Sequence, residues 1–476
     1  MSSAMNVGRG KISTPARPTT EAQLREGQAI IDALDNSPLT RRHQIFLVAL
    51  VAALTFDYAK PFNIAFVIPG MKAMWGLSAV ESSYLAVAGL SGIVIGSVVW
   101  GFVADRIGRR PTLLWTVAVF SIACLCGLAV AYWNSLLACF IMGFGVGGEA
   151  PIVYALAAEY LPAKGRARSL LFLGMLGSLL GYLQVALVSA VLKSFLPETD
   201  AWRWMWLLNI PLGLIVFVMR NNVVPESARY LIKKGRIDEA RASAERFVGV
   251  ITTPPQSSPS VQSHIAASQP ASTIAPTSLR ARTIAIGVFA FGAGLANFSF
   301  VTWLPTMLIN LGYSGASSSL FLAVSALSAL PALVLTSIVL RKWGTRGTLV
   351  GYALAAGAAL FALGYGATFG LFTPLLMIPL MGVIFFLVTS INGTLSFYGA
   401  EIFPTSVRVR RSGIISAVNR LGGVVGPFFG GLYLTAGGNW FGLNLPLTIG
   451  LVIGAVVLYI VGVETHSRSL EQISGH

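Results

Sequence analysis

Long apolar stretches separated by short polar ones fill most of this chain. An α-helix rises 1.5 Å per residue, so about 20 apolar residues cross a ~30 Å hydrocarbon core. Divided on that rule, the pattern predicts twelve spanning helices, at 46–69, 84–104, 112–131, 136–158, 169–192, 204–219, 284–308, 320–340, 349–368, 375–398, 414–435 and 445–462. The apolar pattern stops between the sixth and the seventh. Residues 225–247 are charged and helix-prone, which predicts a short amphipathic helix. Residues 252–278 are rich in Ser, Thr, Pro, Gln and Ala. Such a composition buries too little apolar surface to repay ordering, so this stretch is expected to be disordered.

The polar punctuation repeats. Trp75-Gly76-Leu77-Ser78 is echoed by Leu311-Gly312-Tyr313-Ser314, Pro69 by Pro305, Ser82-Ser83 by Ser318-Ser319 and Gly108 by Gly344, all at an offset of 236. Glu159-Tyr160-Leu161-Pro162 with Arg166 and Arg168 returns as Glu401-Ile402-Phe403-Pro404 with Arg408 and Arg410, at an offset of 242. The reading is an all-α membrane protein of two pseudo-symmetric six-helix bundles. An arm (1–42), a first bundle (43–220), a helix and linker (221–280), a second bundle (281–463) and a tail (464–476) make up the chain. Internal repeats of this kind are typical of secondary transporters, whose site lies near the midplane between the halves.

Composition agrees: 55% of residues are hydrophobic and 11% charged, against about 25% charged in soluble domains. The net charge of +15 invites a nucleic-acid reading, but the basic residues sit in alternate loops. Arg41 and Arg42, the 106–110 loop, Lys164 to Arg168, Lys233 to Arg236, Arg341 to Arg346 and Arg408 to Arg411 fall on one side; Lys72, Lys193 and Arg203 fall on the other. By the positive-inside rule both termini are cytoplasmic, in a multi-pass protein of the cell's inner membrane. The charge is a topology signal and calls for no nucleic-acid partner. Cys124, Cys126 and Cys139 lie inside apolar spans and suggest neither disulfides nor a metal site. No catalytic triad, nucleotide loop or metal cluster is discernible, so neither an enzyme nor a cofactor is expected.

Four charges lie inside the apolar spans: Asp57, Lys60, Glu149 and Arg420. A charge at the bilayer centre costs roughly 2.5–3.5 kcal/mol on insertion scales and usually marks a solute or ion path. Their counterparts in the repeat, Ala293, Ala296, Ile391 and Ser178, are neutral, so the framework is shared and the charge is not. Asp57 and Lys60 are three residues apart, share a helix face and can pair. Pro61, directly after, favours a kink. Glu149 follows alternate glycines at Gly143, Gly145 and Gly147, which let a neighbouring helix approach. Burial favours a carboxylate's neutral form, so Glu149 is a candidate proton carrier, its alternative being a structural hydrogen bond. Arg420 offers a planar fork of donors for a carboxylate or phosphate, or pairs with Asp57 or Glu149 across the halves. Tyr154, Tyr182, Gln184, Trp303, Asn392, Phe397 and Tyr398 are further candidates to line a cavity.

Gly101-Phe102-Val103-Ala104-Asp105-Arg106-Ile107-Gly108-Arg109-Arg110 resembles the signature loop of the major facilitator superfamily, and 341–346 a weaker copy without the acid. The resemblance implies the major facilitator fold. It also implies a charge relay of Asp105, Arg106 and Arg109 with Glu159 and Arg166, and by the repeat Glu401 and Arg408. Pro225-Glu226-Ser227-Ala228-Arg229 resembles the sugar-porter motif; Gly147 to Pro151, Ala158 to Ala163 and Asn419-Arg420-Leu421-Gly422-Gly423 resemble metabolite:proton and aromatic acid:proton symporters. Lys60 stands where those symporters carry a second acid in the first helix, which favours an anionic solute. Cys139 stands where they carry an arginine. The fifth helix, 174–181, lacks the Gly-Pro motif of drug:proton antiporters.

The leading expectation is proton-coupled uptake of a small organic anion, an aromatic or other carboxylate, by alternating access of a monomer. Asp57 and Glu149 carry the proton; Lys60, Arg420, Tyr154, Gln184, Asn392 and Tyr398 hold the solute. The alternatives are an antiporter exporting a drug or toxic metabolite, a sugar or polyol symporter, and a non-transporting receptor.

Overall fold

A computed structural model describes residues 21–251 and 276–462, apart from 329, 372 and 404. The expected disorder at 252–278 falls largely outside them, and the first 20 residues of the arm and the whole tail fall outside them as well.

The first half runs α1 (Glu21–Asp35), α2 (Arg41–Trp75), α3 (Ala79–Ile107), α4 (Arg109–Ala123, extended by a 3₁₀ turn to Leu128), α5 (Tyr132–Tyr160), α6 (Arg166–Phe195), α7 (Glu198–Leu207) and α8 (Asn209–Val223). Two short helices follow, α9 (Ala228–Lys233) and α10 (Ile237–Val248). The second half runs α11 (Pro276–Asn310), α12 (Gly315–Leu327), α13 (Leu330–Phe369), α14 (Pro374–Ile402), α15 (Thr405–Thr435) and α16 (Trp440–Val461).

The sequence repeats are helix punctuation. Gly76, at φ 64°, ends α2 in the left-handed region that glycine adopts freely, and the Ser78 hydroxyl then caps α3, accepting from the Glu81 amide. In the second half Gly312, at φ 91°, and Ser314, which caps α12, do the same. Gly108 (φ 105°) and Gly344 (φ 72°) form the next repeated break. Gly344 divides α13 into the end of the expected eighth span and the ninth.

Two expected spans are broken. The sixth becomes α7 and α8, parting at Leu208, because Pro211 has no N–H to offer the carbonyl of Leu207. The eighth parts between α12 and α13, where Pro331 likewise cannot donate to Leu327. By contrast, α2 runs unbroken through Pro61 and Pro69. Ten helical stretches among the described residues are long and apolar enough to cross a membrane. The α7–α8 pair and α15 are not among them, the first because each piece is short.

Packing shows the pseudo-symmetry. Within the halves α2 packs on α6 and α11 on α15; between them α3 packs on α15, α6 on α12 and α2 on α11. The contacts α3–α15 and α6–α12 exchange under a two-fold relation of the halves. On the side away from α1, Ser189 and Ser319 hydroxyls meet at 2.9 Å and the Val80 amide donates to Thr435 Oγ1 at 2.9 Å, so this end is closed.

Candidate functional site

Glycine spacing fixes where Glu149 points. A Cβ on Gly143 or Gly147 would collide with the α3 backbone at Gly89 or Ile93, and one on Gly145 would press on Thr116 and Phe120 of α4. Alternate glycines therefore seat α5 against two neighbours at once. On α3, Gly92 and Gly96 reciprocate, lying against the carbonyls of Phe140 and Phe144.

The Glu149 carboxylate emerges between these contacts. Its Oε1 accepts from Thr116 Oγ1 at 3.1 Å, and its Oε2 lies 3.2 Å from the Lys60 ammonium. Asp57 Oδ1 lies 3.3 Å from the same ammonium. Asp57 and Lys60 are each 2% exposed and Glu149 is 0% exposed. Below them, Lys60 Nζ sits 3.2 Å from the centroid of the Phe120 ring, a cation–π contact. The expected Asp57–Lys60 pair is present and has gained Glu149 as a third member. The trio is sealed inside the first half, so the four charges do not share one vestibule. The Lys60 ammonium is engaged by two carboxylates and a ring in this structure.

Arg420 lies apart from the trio and joins neither Asp57 nor Glu149. On α15, the Asn419 amide donates to the Ala290 carbonyl at 2.9 Å, while Gly422 and Gly294 let α11 and α15 touch backbone to backbone. That packing sets the half-buried guanidinium across the interface from the phenol of Tyr58 on α2, whose field it feels. Tyr154 of α5 adjoins Tyr58. Among the described residues Arg420 has no carboxylate partner. Tyr58 escaped the sequence reading although a polar side chain next to Asp57 in an apolar span was a usable signal.

The other candidates divide. Gln184 is half-buried on α6. The amide of half-buried Asn392 donates to Val388 of its own helix at 2.9 Å, while Tyr398 is wholly buried and so not open to a solute in this state. The Phe397 side chain is outside the described ones. Tyr182 forms the centre of an aromatic cluster that crosses the halves, with ring centroids 5.1 Å from Phe62, 5.6 Å from Phe66 and 4.7 Å from Phe385, which itself meets Phe300 at 5.2 Å. Buried beside the interface, Tyr182 Oη, Asn63 Nδ2, Ser299 Oγ and Trp303 Nε1 have no hydrogen-bond partner among the described residues. Asn63 and Phe385 were missed, for nothing in an apolar run marks which ring or amide meets the other half.

The expected charge relay is partly formed, on the side of α1, α9 and α10. Arg109 pairs with Glu159 and donates to Ser227 Oγ at 2.9 Å, and Ser227 Oγ donates to Glu159. Asp105 and Arg106 are exposed. Arg166 pairs with Asp35 of α1 instead of with the loop, because its helix start lies beneath α1. The Glu226 carboxylate accepts from the backbone amides of Arg109 (2.9 Å) and Arg110 (3.3 Å), so the 225–229 motif caps the first turn of α4. A cavity of about 450 Å³ opens here, lined by Asp105, Arg109, Glu159, Arg166, Arg229 and Lys233. The side chains of Arg168, Glu401, Arg408 and Arg410 lie outside the described ones.

Comparison with known proteins agrees with this architecture. The sugar (and other) transporter family pattern matches residues 41–475. The niacin transporter NiaP of Acinetobacter baylyi is 29% identical over 93% of this chain and 99% of its own. The gallate transporter of Pseudomonas putida is 27% identical over 88% of this chain and 91% of its own. The inward-open structure of the xylose transporter XylE from E. coli superposes with a TM-score of 0.73 at 19% identity, covering 91% of this chain and 99% of that one. The sealed charge trio, the inter-half arginine and the paired bundles thus sit on a major facilitator scaffold, and the chain belongs to the sugar (and other) transporter family: a multi-pass membrane transporter of small organic solutes, not an enzyme.

Proposed function

We propose that the protein takes up a small organic anion, an aromatic or other carboxylate, together with protons by alternating access of the two halves. The observation that carries this is Arg420: a half-buried cation at the interface of the halves, in the field of Tyr58, with no carboxylate partner among the described residues. A solute carboxylate supplies the missing charge, and the guanidinium fork suits it. Relatives named as transporters of niacin, benzoate and gallate support the class, since each of those molecules carries a carboxylate on an aromatic ring.

Asp57, Lys60 and Glu149 serve as the proton site. With both acids ionised the trio carries one net negative charge, and a single proton brings it to zero. A sealed site tolerates an uncompensated charge poorly, so the trio binds one proton at a time and releases it when α2, α4 and α5 shift. Asp57 and Tyr58 are adjacent on α2, about 100° apart around the helix. A movement of α2 is therefore felt at the proton trio and at the anion subsite together, which is the link that coupling requires. In the same proposal α7–α8 and α15 complete twelve spans, the chain divides into arm, bundle, linker, bundle and tail at the limits given above, and the basic loops hold both termini in the cytoplasm of the inner membrane. The proposed working unit is the monomer.

The test is a thermal-shift screen of purified protein against nicotinate, benzoate, gallate, xylose and simple amines, because a ligand that binds only the folded state raises apparent stability by mass action. A shift with carboxylates that disappears in Arg420→Ala is the expected result. A shift with xylose alone, or one that persists in Arg420→Ala, overturns the anion reading.

A further inference from the structure

A second polar cavity lies between the halves at the end away from α1, beyond the Tyr182 cluster. It has a volume of about 150 Å³ and is bounded by Lys72 of α2, by Trp303, Thr306 and Asn310 of α11, and by Trp440 of α16. Three features set it apart from an ordinary packing gap. Lys72 is half-buried and has no ion-pair partner among the described residues. Neither Glu81, which accepts from the Ser78 amide and hydroxyl at 2.8 Å, nor Glu198, which pairs with Lys193 at 3.2 Å, lines the cavity. Trp303 and Thr306, 2% and 5% exposed, each keep a donor, the indole N–H and the hydroxyl, with no hydrogen-bond partner among the described residues. Burying such donors unpaired costs free energy, and a ligand with acceptor oxygens recovers it. One uncompensated cation beside two unpaired donors, in a space that admits a small carboxylate, is the chemistry of an anion site.

We propose that this cavity is a capture subsite, where the carboxylate of an organic anion arriving from the outer side is held by Lys72, Trp303 and Thr306 before the aromatic cluster parts. The proposal deepens the anion-uptake reading and rests on its topology. It assigns the cavity a separate binding event from that at Arg420, which is reached only after the Phe62, Phe66, Tyr182 and Phe385 rings separate.

The experiment uses the full chain in right-side-out proteoliposomes with a cysteine at Asn310, which is exposed at the cavity's edge. The native Cys124, Cys126 and Cys139 are all buried, so labelling reports the introduced thiol. A sulfonate-bearing thiosulfonate is expected to react about tenfold faster than its trimethylammonium counterpart, since a cleft lined by one sign of charge concentrates ions of the other. Lys72→Gln in the same background should bring the two rates together, and Thr306→Val should leave the rate preference in place. Benzoate, but not neutral benzamide, should slow the sulfonate reaction, and Lys72→Gln should abolish that protection. The protection should survive Arg420→Gln, which removes the inner anion contact. Equal rates for the two reagents in the Asn310→Cys parent, protection that persists in Lys72→Gln, or no protection by benzoate in the parent overturns the capture subsite. Protection lost in Arg420→Gln also overturns it, by assigning all anion binding to the inner site and leaving the uptake reading standing.

Discussion

Lys60 and Glu149, 89 residues apart in the chain, meet at 3.2 Å with side-chain exposures of 2% and 0%. Among the described residues the Lys60 ammonium pairs with both Glu149 and Asp57. Removing it takes one buried ion-pair partner from two carboxylates at once. Lys60→Met is therefore expected to destabilise the protein by about 3–5 kcal/mol, the cost typical of breaking a buried ion pair. The double variant Lys60→Met/Glu149→Gln should regain part of the loss. Apparent melting temperatures of the two single variants and the double, compared as a cycle, check this; additive effects would show that the pair is not coupled.

Glu149→Gln keeps the shape of the side chain and removes its titration. Its two neighbours remain: Thr116 can still donate to the amide oxygen, and Lys60 still has Asp57. Carboxylate binding at Arg420 is expected to survive while accumulation driven by a pH gradient is lost. On the proposed symport, uptake by the unaltered protein should rise as the outer pH falls, and in Glu149→Gln that dependence should flatten. Counterflow with equal pH on both sides should continue in the variant. Undiminished pH-driven accumulation would remove Glu149 from the proton path.

Much of this arrangement could be read from residue types and spacing. The two halves were legible because Gly76, Ser78 and Gly108 have counterparts in Gly312, Ser314 and Gly344, and each pair performs the same capping or chain-reversing task. The Asp57–Lys60 pair follows from three-residue spacing on a helix. What could not be read is which helix faces which across space. Nothing local tells Glu149 that Lys60 is its neighbour, or Arg420 that Tyr58 is, because α2, α5 and α15 are brought together only by packing. For the same reason four intramembrane charges looked like one cavity, whereas three of them satisfy one another. The breaks at Leu208 and Ser328 come from prolines three residues farther on, which an apolar window does not weigh.

Arg420→Lys retains a positive charge but loses the planar fork. If the solute carboxylate is held by two parallel N–H donors, the lysine variant should bind it about tenfold more weakly, and Arg420→Gln about 10- to 100-fold more weakly, in line with the value of a charge-assisted hydrogen bond. Uptake kinetics read this as a raised KM. The melting temperature without ligand should change little or rise, since the cation has no carboxylate partner in the described structure. A lysine variant with unchanged KM would argue against bidentate recognition.

Glu226 ties the loop after α8 to the first turn of α4 through the Arg109 and Arg110 amides. Its negative charge also suits the positive end of that helix. Glu226→Gln should cost about 1 kcal/mol, the usual worth of a helix cap, and loosen the segment that carries α9. Limited trypsin digestion should then cut sooner at Lys233, Lys234 or Arg236, while carboxylate binding stays as it was. Unaltered digestion would show that Ser227 with Arg109 and Glu159 holds the segment without help from Glu226.

Tyr182 separates two contributions to closure at the end away from α1, ring packing and a buried hydroxyl. The ring meets Phe62 and Phe66 of its own half and Phe385 of the other, so it holds the halves together on the side of Tyr58 away from α1. The hydroxyl is buried with no hydrogen-bond partner among the described residues, so it adds no such bond to the closed state. Tyr182→Phe should therefore leave closure intact or strengthen it, whereas Tyr182→Ala removes ring pairs worth about 0.5–1.5 kcal/mol each. One such pair changes the ratio of open to closed forms by roughly 2- to 10-fold. A cysteine at Thr55, inward of the cluster, should react with an outer thiol reagent faster by that factor in the alanine variant and no faster in the phenylalanine variant. Equal labelling in all three backgrounds would mean that the serine pair at Ser189 and Ser319 and the Val80–Thr435 contact close this end without the rings.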